Sequence, residues 1–372
     1  MNLTNNNKMK RTSRIYLKEV NINKVNKLEE FLVTYNRAVN YTIERLWSAQ
    51  DFSSGLLSKE VTDGISLKFN ITARLSQCIG KQSKEIISSQ LEKKDKRMPR
   101  IHKTIANLDG RFTRIDDFDG SFDKCVKFGS GVPSVVILFN LNKQINELLK
   151  DGWQIGKSIR LGWNKENGLF IDLILEKERP EKRAEGKIIG IDRGVNSMLF
   201  TSDGQDIGSE MKAEMLSVDK HRKSYHQYIT TEENRYIKKL NLEGVKAIVI
   251  EDLKNVTMNK RGRFSRRVNR LLSFWHYARV GIRLEQMCEE LGISVYRKDP
   301  WKTSQRCPEC GNIDRRNRKG IKFLCLRCGH ADNADNADHA GAKNLEFLGL
   351  AGEYSLRSLP GKLNGGSVNE CL

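Results

Sequence analysis

Apolar residues recur along this chain with two different periods, and the switches between them divide it into regions. Val25, Leu28, Leu32, Tyr35 and Val39 fall three and four apart, which places them on one face of an amphipathic helix. A short alternating stretch, Ser13 to Val20, precedes them as a candidate strand, and Ser58 to Leu91 follows with a looser helical period. From Arg111 to Lys177 the period shortens. Val135 to Phe139, Ser158 to Gly162 and Leu169 to Leu175 are short β-like runs bounded by Gly, Asp and Asn, which predicts an all-β unit. The charged segment Glu178 to Gly186, with its proline and glycine, marks the main domain boundary. Beyond it, Lys187 to Ile191 reads as a buried strand and Met198 to Thr201 as its hairpin partner, joined through Asp192-Arg193-Gly194. Ala247 to Ile250 is a second apolar strand, Val268 to Leu291 a long helix, and Ile293 to Arg297 a further strand, an alternation typical of α/β domains. After Leu348 the periodicity fades into a Gly-rich tail expected to be poorly ordered.

Length and charge narrow the possible functions. At 372 residues the chain predicts two or three units with at least one sizeable core. Lys and Arg number 65 against 46 Asp and Glu, a net charge of +19 that points to a polyanionic partner, with nucleic acid the default. The alternative, a merely soluble basic surface, carries self-repulsion with nothing to offset it. Met1 to Lys10 is polar with no apolar core, and runs such as Val135 to Phe139 are too short to span a bilayer, so secretion and membrane insertion are not expected. Cys78, Cys125, Cys288 and Cys371 are scattered without a disulfide framework, which predicts a reducing, cytoplasmic setting.

The other cysteines carry chemistry. Cys307, Cys310, Cys325 and Cys328 form C-x2-C-x14-C-x2-C, in which each pair closes a tight knuckle and four thiolates complete the tetrahedral shell of zinc. A purely structural staple for a ribbon too small to bury a core is compatible with that assignment. His330 is not needed as a ligand, since the shell is already full. Two apolar strands end in acids, Asp192 after IIGI and Glu251 after AIVI. Each alone also fits a turn or a solvated strand end. Together they are rigidly held carboxylates of the kind that bind divalent metal for phosphoryl transfer. A third acid is available in Ala331 to Asp338, where Asp332, Asp335 and Asp338 compete, and where an N-cap for the helix near Ala340 is the plain alternative. Three such acids would hold two Mg²⁺ about 4 Å apart, one activating water and one stabilising the leaving 3′ oxygen. No Walker motif, dinucleotide fingerprint or paired-His motif stands out.

Three ordered blocks carry a resemblance: IGIDRGVN (189–196), IVIEDL (248–253), and TSQRCPECG (303–311) continuing through CLRCGH to ADHAGAKNL (337–345). They resemble the transposon-encoded TnpB family of RNA-guided DNA nucleases, from which type V CRISPR effectors are thought to descend. The resemblance implies an RNA-guided DNA endonuclease with a guide RNA and a target DNA as partners, which reads a short adjacent duplex motif. It implies a multidomain α+β chain. Residues 1–20 and 104–180 would form a wedge-like β-barrel, 21–103 a helical recognition domain, and 187–302 with 331–348 a RuvC-like domain of RNase H fold. A zinc ribbon at 303–330 and a flexible tail at 349–372 complete it. Carried over by position, the catalytic acids are Asp192, Glu251 and Asp338. Repetition of Ala-Asp-Asn makes Asp335 the alternate when counting from Cys328, whereas the downstream GAKN anchors Asp338. The short span from Asp192 to Glu251 leaves little room for the long basic helical insert common in the family. Upstream the resemblance is weaker, resting on 118–123, 163–177 and 25–46.

Two basic segments are candidate nucleic-acid contacts. Lys93 to Lys103 holds six Lys or Arg and a proline, with Lys93, Lys94, Lys96, Arg97 and Arg100 as candidates against the alternative of a solvated loop. Asn259 to Arg270 holds six around Phe264 and leads to Phe274, Trp275 and Tyr277. Arg261, Arg263, Arg266 and Arg267 would grip phosphates, while the helical aromatics also fit a packed core. Three rival functions stay open at this point: a nuclease-inactive RNA-guided repressor, a guide-independent zinc-ribbon DNA-binding protein, and a junction resolvase.

Overall fold

The structure is a computed structural model, and it describes residues 7–93, 96–102, 104–194, 196–217, 225–253, 277–331 and 337–357. The chain divides into two compact units, Met1–Glu178 and Arg179–Leu372.

In the first unit, strand β1 (Lys8–Tyr16) leads into helices α1 (Ile22–Ser48), α2 (Lys59–Phe69) and α3 (Ala73–Leu91). Each helix starts where a side chain caps its free N–H groups. Asn21 accepts from Asn23 N, Ser58 from Val61 N, and Thr72 from Leu75 N. β2 (Ile105–Leu108), β3 (Thr113–Asp117), β4 (Lys124–Phe128) and β5 (Val136–Phe139) follow, then α4 (Lys143–Lys150), β6 (Gln154–Asn164) and β7 (Gly168–Glu178). Two antiparallel sheets result, ordered β1-β7-β6-β2 and β3-β4-β5. The α1 face expected from periodicity is the buried one, and Leu28, Leu32, Tyr35 and Val39 join Leu161, Ile171 and Leu173 in one core. The all-β expectation for 111–177 needs one correction, because α4 interrupts it. Asn142 caps that helix by accepting from Ile145 N at 2.9 Å, and Ile145, Leu148 and Leu149 give it an apolar edge.

The second unit contains β8 (Lys187–Asp192), β9 (Leu199–Thr201), β10 (Asp206–Ile207), α5 (Met211–Ser217), α6 (Tyr225–Ile237), β11 (Val245–Glu251), α7 (Tyr277–Glu290) and β12 (Ser294–Lys298). The sheet order is β10-β9-β8-β11-β12, with the first three strands antiparallel and β8, β11 and β12 parallel. A small hairpin of β13 (Arg318–Lys319) and β14 (Lys322–Phe323) precedes α8 (Ala337–Leu350). Strand alternation assigns the two faces. Ile189, Ile191, Ile248 and Ile250 pack with Val280 and Leu284 of α7. Gly190 faces α8 instead, and a Cβ there would overlap the Ala342 carbonyl oxygen. The glycine in IIGID thus permits helix and strand to touch along their backbones, and Asp192, two residues on, lies on that same face.

One expectation lies partly outside the described residues and another is modified. The helix expected over 268–291 is described only from Tyr277, so Phe274, Trp275 and the candidates Arg261, Arg263, Arg266 and Arg267 lie outside the described residues. The tail expected to be flexible from 349 is held further on. Asp299 N donates to Tyr354 O at 3.1 Å, and Arg357 lies 4.0 Å from the Asp299 carboxylate and 5.0 Å from the Trp301 ring centre. Among the described residues, no helix is long and apolar enough to cross a membrane.

Candidate carboxylate cluster and cysteine ribbon

Parallel pairing sets Ile191 beside Ile250, so Asp192 and Glu251 follow side by side at the ends of neighbouring strands. Asp338 enters from the first turn of α8, the helix that covers this face. All three acids are buried, at 8%, 8% and 5% exposure. Burial pushes the Asp192 carboxyl well above its ordinary range, and the charges of Glu251 and Asp338 push it further. Glu251 and Asp338 are raised by burial as well. These shifts record mutual proximity in a site poor in water. Asp335, the alternate third acid, and Asp332 lie outside the described residues.

Three neighbours act against the repulsion. Thr303 Oγ1 donates to Glu251 Oε1 at 2.6 Å and holds that carboxyl lower than burial alone would leave it. Arg193, itself 4% exposed, donates through Nη2 to the Glu251 backbone carbonyl. Arg318 Nη2 lies 3.4 Å from Asp338 Oδ1, and its charge lowers the values of all three acids. Sequence reasoning missed these residues. Arg318 lies in a run of basic residues with nothing to distinguish it, and Arg193 follows Asp192 in a segment read as a turn. The donor set is three carboxyl groups, and in their ionised form such hard oxygen ligands suit a hard divalent cation.

The four cysteines converge as their spacing predicts, with all four Sγ atoms within 4.8 Å of one another. Cys307 and Cys328 Sγ are 3.7 Å apart, and Cys310 and Cys325 Sγ 3.5 Å. Such separations are far beyond a disulfide bond. They approach the roughly 3.8 Å edge of a tetrahedron whose sulfurs lie about 2.3 Å from a central ion. The two knuckles share one backbone pattern. Gly311 N donates to Cys307 O at 3.0 Å and Gly329 N to Cys325 O at 2.9 Å, with φ of +71° and +72°. Both glycines occupy the left-handed region these turns require. Burial acts to raise the Cys325 thiol, but the Cys328 and Arg327 N–H groups outweigh it and bring it to about 7. Among the described residues no carboxylate set is drawn as tightly as these sulfurs.

In the first unit, Lys93, Pro99 and Arg100 line a cleft of about 510 Å³ beside α3, together with Gln82, Glu85 and Arg160. Lys96 and Arg97 are exposed, and Lys94 lies outside the described residues. The cleft brings Lys93 and Arg100 together with Arg160, a cation on β6 that sequence reasoning did not select.

Comparison with known proteins bears on the second unit most directly. Residues 277–345 match the family described as "Cas12f1-like, TNB domain". A segment of 88 residues is 41% identical to the CRISPR-associated endodeoxyribonuclease Cas12f1 of Sulfoacidibacillus thermotolerans, covering 23% of this chain and 19% of that relative. Over most of the chain the fold is similar to that of Cas12f1 in a complex with single-guide RNA and target DNA. The TM-score is 0.50 at 14% identity, covering 89% of this chain and 83% of the other. The chain is thus similar to Cas12f1-like proteins in one domain, in a segment of 88 residues and in fold, while its matched segment spans only about a fifth of the length of the curated relative.

Proposed function

We propose that this chain is an RNA-guided DNA endonuclease whose nuclease centre is formed by Asp192, Glu251 and Asp338. The observation that carries the reading is the convergence of three buried carboxylates from two parallel strand ends and one helix start, all raised by burial, with Asp192 raised further by Glu251 and Asp338. Carboxylates crowded in this way are costly unless a cation neutralises them. A pair of Mg²⁺ ions bound there would supply the Lewis acidity that activates water and offsets charge on the leaving 3′ oxygen. The residues of the chain orient the reaction. The sheet fixes Asp192 and Glu251, Thr303 holds the Glu251 rotamer, and Arg318 reaches the same cluster from the ribbon. Arginines at such a site would bind the phosphodiester without needing to change protonation.

The rest of the domain reading follows. The mixed sheet, three antiparallel strands followed by two parallel to the first, supports a RuvC-like domain over 187–302 and 331–348. The sulfur geometry and ligand type support zinc in a ribbon at 303–330. The strands of residues 1–20 and 104–180 are read as the wedge unit, and 21–103 as the helical recognition unit. Basic side chains around the α3 cleft are read as phosphate contacts to guide RNA or target DNA. A cytoplasmic, nucleoid-associated setting fits these partners. Presence of all three acids favours cleavage over a nuclease-inactive repressor.

Asp192→Ala should abolish Mg²⁺-dependent cleavage of a guide-matched DNA target while RNA binding persists. Purification from the native locus, sequencing of the accompanying RNA and challenge with a randomised target library test the whole reading. Unchanged cutting by the variant would remove the site assignment, and absence of a discrete RNA would remove the guided mechanism.

A further inference from the structure

A buried path of side chains joins the cysteine ribbon to the carboxylate cluster. Thr303, Arg306 and Asn344 are 2%, 6% and 0% exposed. Asn344 lies on α8, six residues after Asp338. Its Nδ2 faces three backbone carbonyls, Thr303 O at 2.8 Å, Arg306 O at 2.8 Å and Ala340 O at 2.9 Å. Its Oδ1 accepts from Arg306 Nη1 at 2.7 Å. Arg306 immediately precedes Cys307, and its guanidinium carbon sits 4.7 Å from the ring centre of Phe347 on α8. At the other end of the turn, Thr303 Oγ1 donates to Glu251 Oε1 at 2.6 Å. An asparagine buried only to finish its own helix would be satisfied by Ala340 O. This one instead ties residues 303–306, which lead to the ribbon's first cysteine, to the helix that carries Asp338.

We propose that Thr303, Arg306 and Asn344 are positioning residues that couple the two sites, so that filling the four-cysteine site raises the affinity of the carboxylate cluster for a divalent cation. This rests on reading the carboxylates as a divalent-cation site. The mechanism is mechanical. A metal ion in the ribbon fixes Cys307 and hence Arg306, which is bonded through its side chain and backbone to Asn344. The 303–306 turn is then held against α8, and Thr303 is held where it restrains the Glu251 carboxylate. With the ribbon empty, the turn loses one anchor and Glu251 regains rotamer freedom. Linkage requires the reverse effect too, so a cation at the carboxylates slows loss of the ribbon metal.

The test uses the full chain carrying zinc, with Mn²⁺ as the probe, its binding followed by the electron paramagnetic resonance of free Mn²⁺. Removing zinc from the wild type should raise the Mn²⁺ dissociation constant roughly tenfold, the lower end of what outer ligand supports contribute. Thr303→Val, measured with zinc in place, should show a similar loss with unchanged zinc content and melting temperature, and Thr303→Ser should restore wild-type binding. Arg306→Met should weaken Mn²⁺ binding and make it insensitive to zinc. The comparison of zinc-loaded Thr303→Val with wild type needs no stripping, so unfolding of an empty ribbon does not decide the outcome. Wild-type Mn²⁺ affinity in Thr303→Val, or in the zinc-free protein, overturns the coupling. Asp338→Ala separates the two levels. Mn²⁺ binding that survives this change takes down the carboxylate-site reading and the coupling with it, whereas binding that vanishes in Asp338→Ala but ignores zinc and Thr303 takes down the coupling alone.

Discussion

The cysteine ribbon and the carboxylate cluster are the two candidate metal centres of the second unit, and they are built in opposite ways. The ribbon's four ligands lie within 22 residues, and each pair is shaped by its own backbone hydrogen bonds. The three acids are spread from residue 192 to 338 and meet only because a parallel strand pair and a covering helix bring them together. Local ligands make a site that forms wherever its knuckles form. Distant ligands make a site that depends on the whole sheet and that crowds charge at its centre.

That contrast can be broken or sharpened by experiment. The largest expected effect is at the ribbon. Cys325→Ser should leave it largely without zinc, because apparent zinc binding worth about 10–16 kcal/mol in small zinc-finger peptides depends on a complete thiolate shell. Zinc content by mass spectrometry, together with loss of hydrogen-exchange protection across β13 and β14, checks this. Next in size is the stability of the cluster. The folded-state values of Asp192, Glu251 and Asp338 are raised, so their contribution to stability is fully present below the ordinary carboxylate range and is lost as pH rises through the raised values. Metal-free protein should therefore melt lower at pH 8 than at pH 5 relative to an Asp192→Asn variant, and at pH 8 that variant should melt about 2–4 °C higher than wild type. Mg²⁺ should close the gap by stabilising only the wild type. A lower melting temperature for Asp192→Asn at pH 8 would contradict the crowded-charge account. The smallest effect concerns Arg318. Its replacement by Gln removes one lowering charge from each acid, so the pH midpoint of Mn²⁺ binding should move upward by less than about one unit, since a cation whose side chain is 32% exposed is partly screened.

The same contrast explains what could be read from the sequence. The ribbon was legible in full because C-x2-C spacing encodes its geometry directly. Asp192 and Glu251 were legible because each ends a run of apolar residues, and a strand end is visible in one dimension. The choice of Asp338 over Asp335 needed the downstream GAKN, and its place on the face that receives Gly190 needed the fold. Thr303, Arg306 and Asn344 were quoted within motifs, yet nothing in their spacing revealed that one asparagine holds a turn some 40 residues earlier, 38 from Arg306 and 41 from Thr303. Helix α4 escaped for a smaller reason, since eight residues between strands give too little periodicity to stand out against them.

The close seat of α8 on β8 also sets an order of events. Gly190 meets Ala342 across some 150 residues of chain, so the contact can form only after nearly all of the second unit has left the ribosome. Pairing between such distant segments is slow to find and is secured late. Asp192 and Glu251 are therefore made, folded into strands and held without their third partner while synthesis continues. The three acids come together late, so a growing chain carries an incomplete carboxylate cluster until α8 docks.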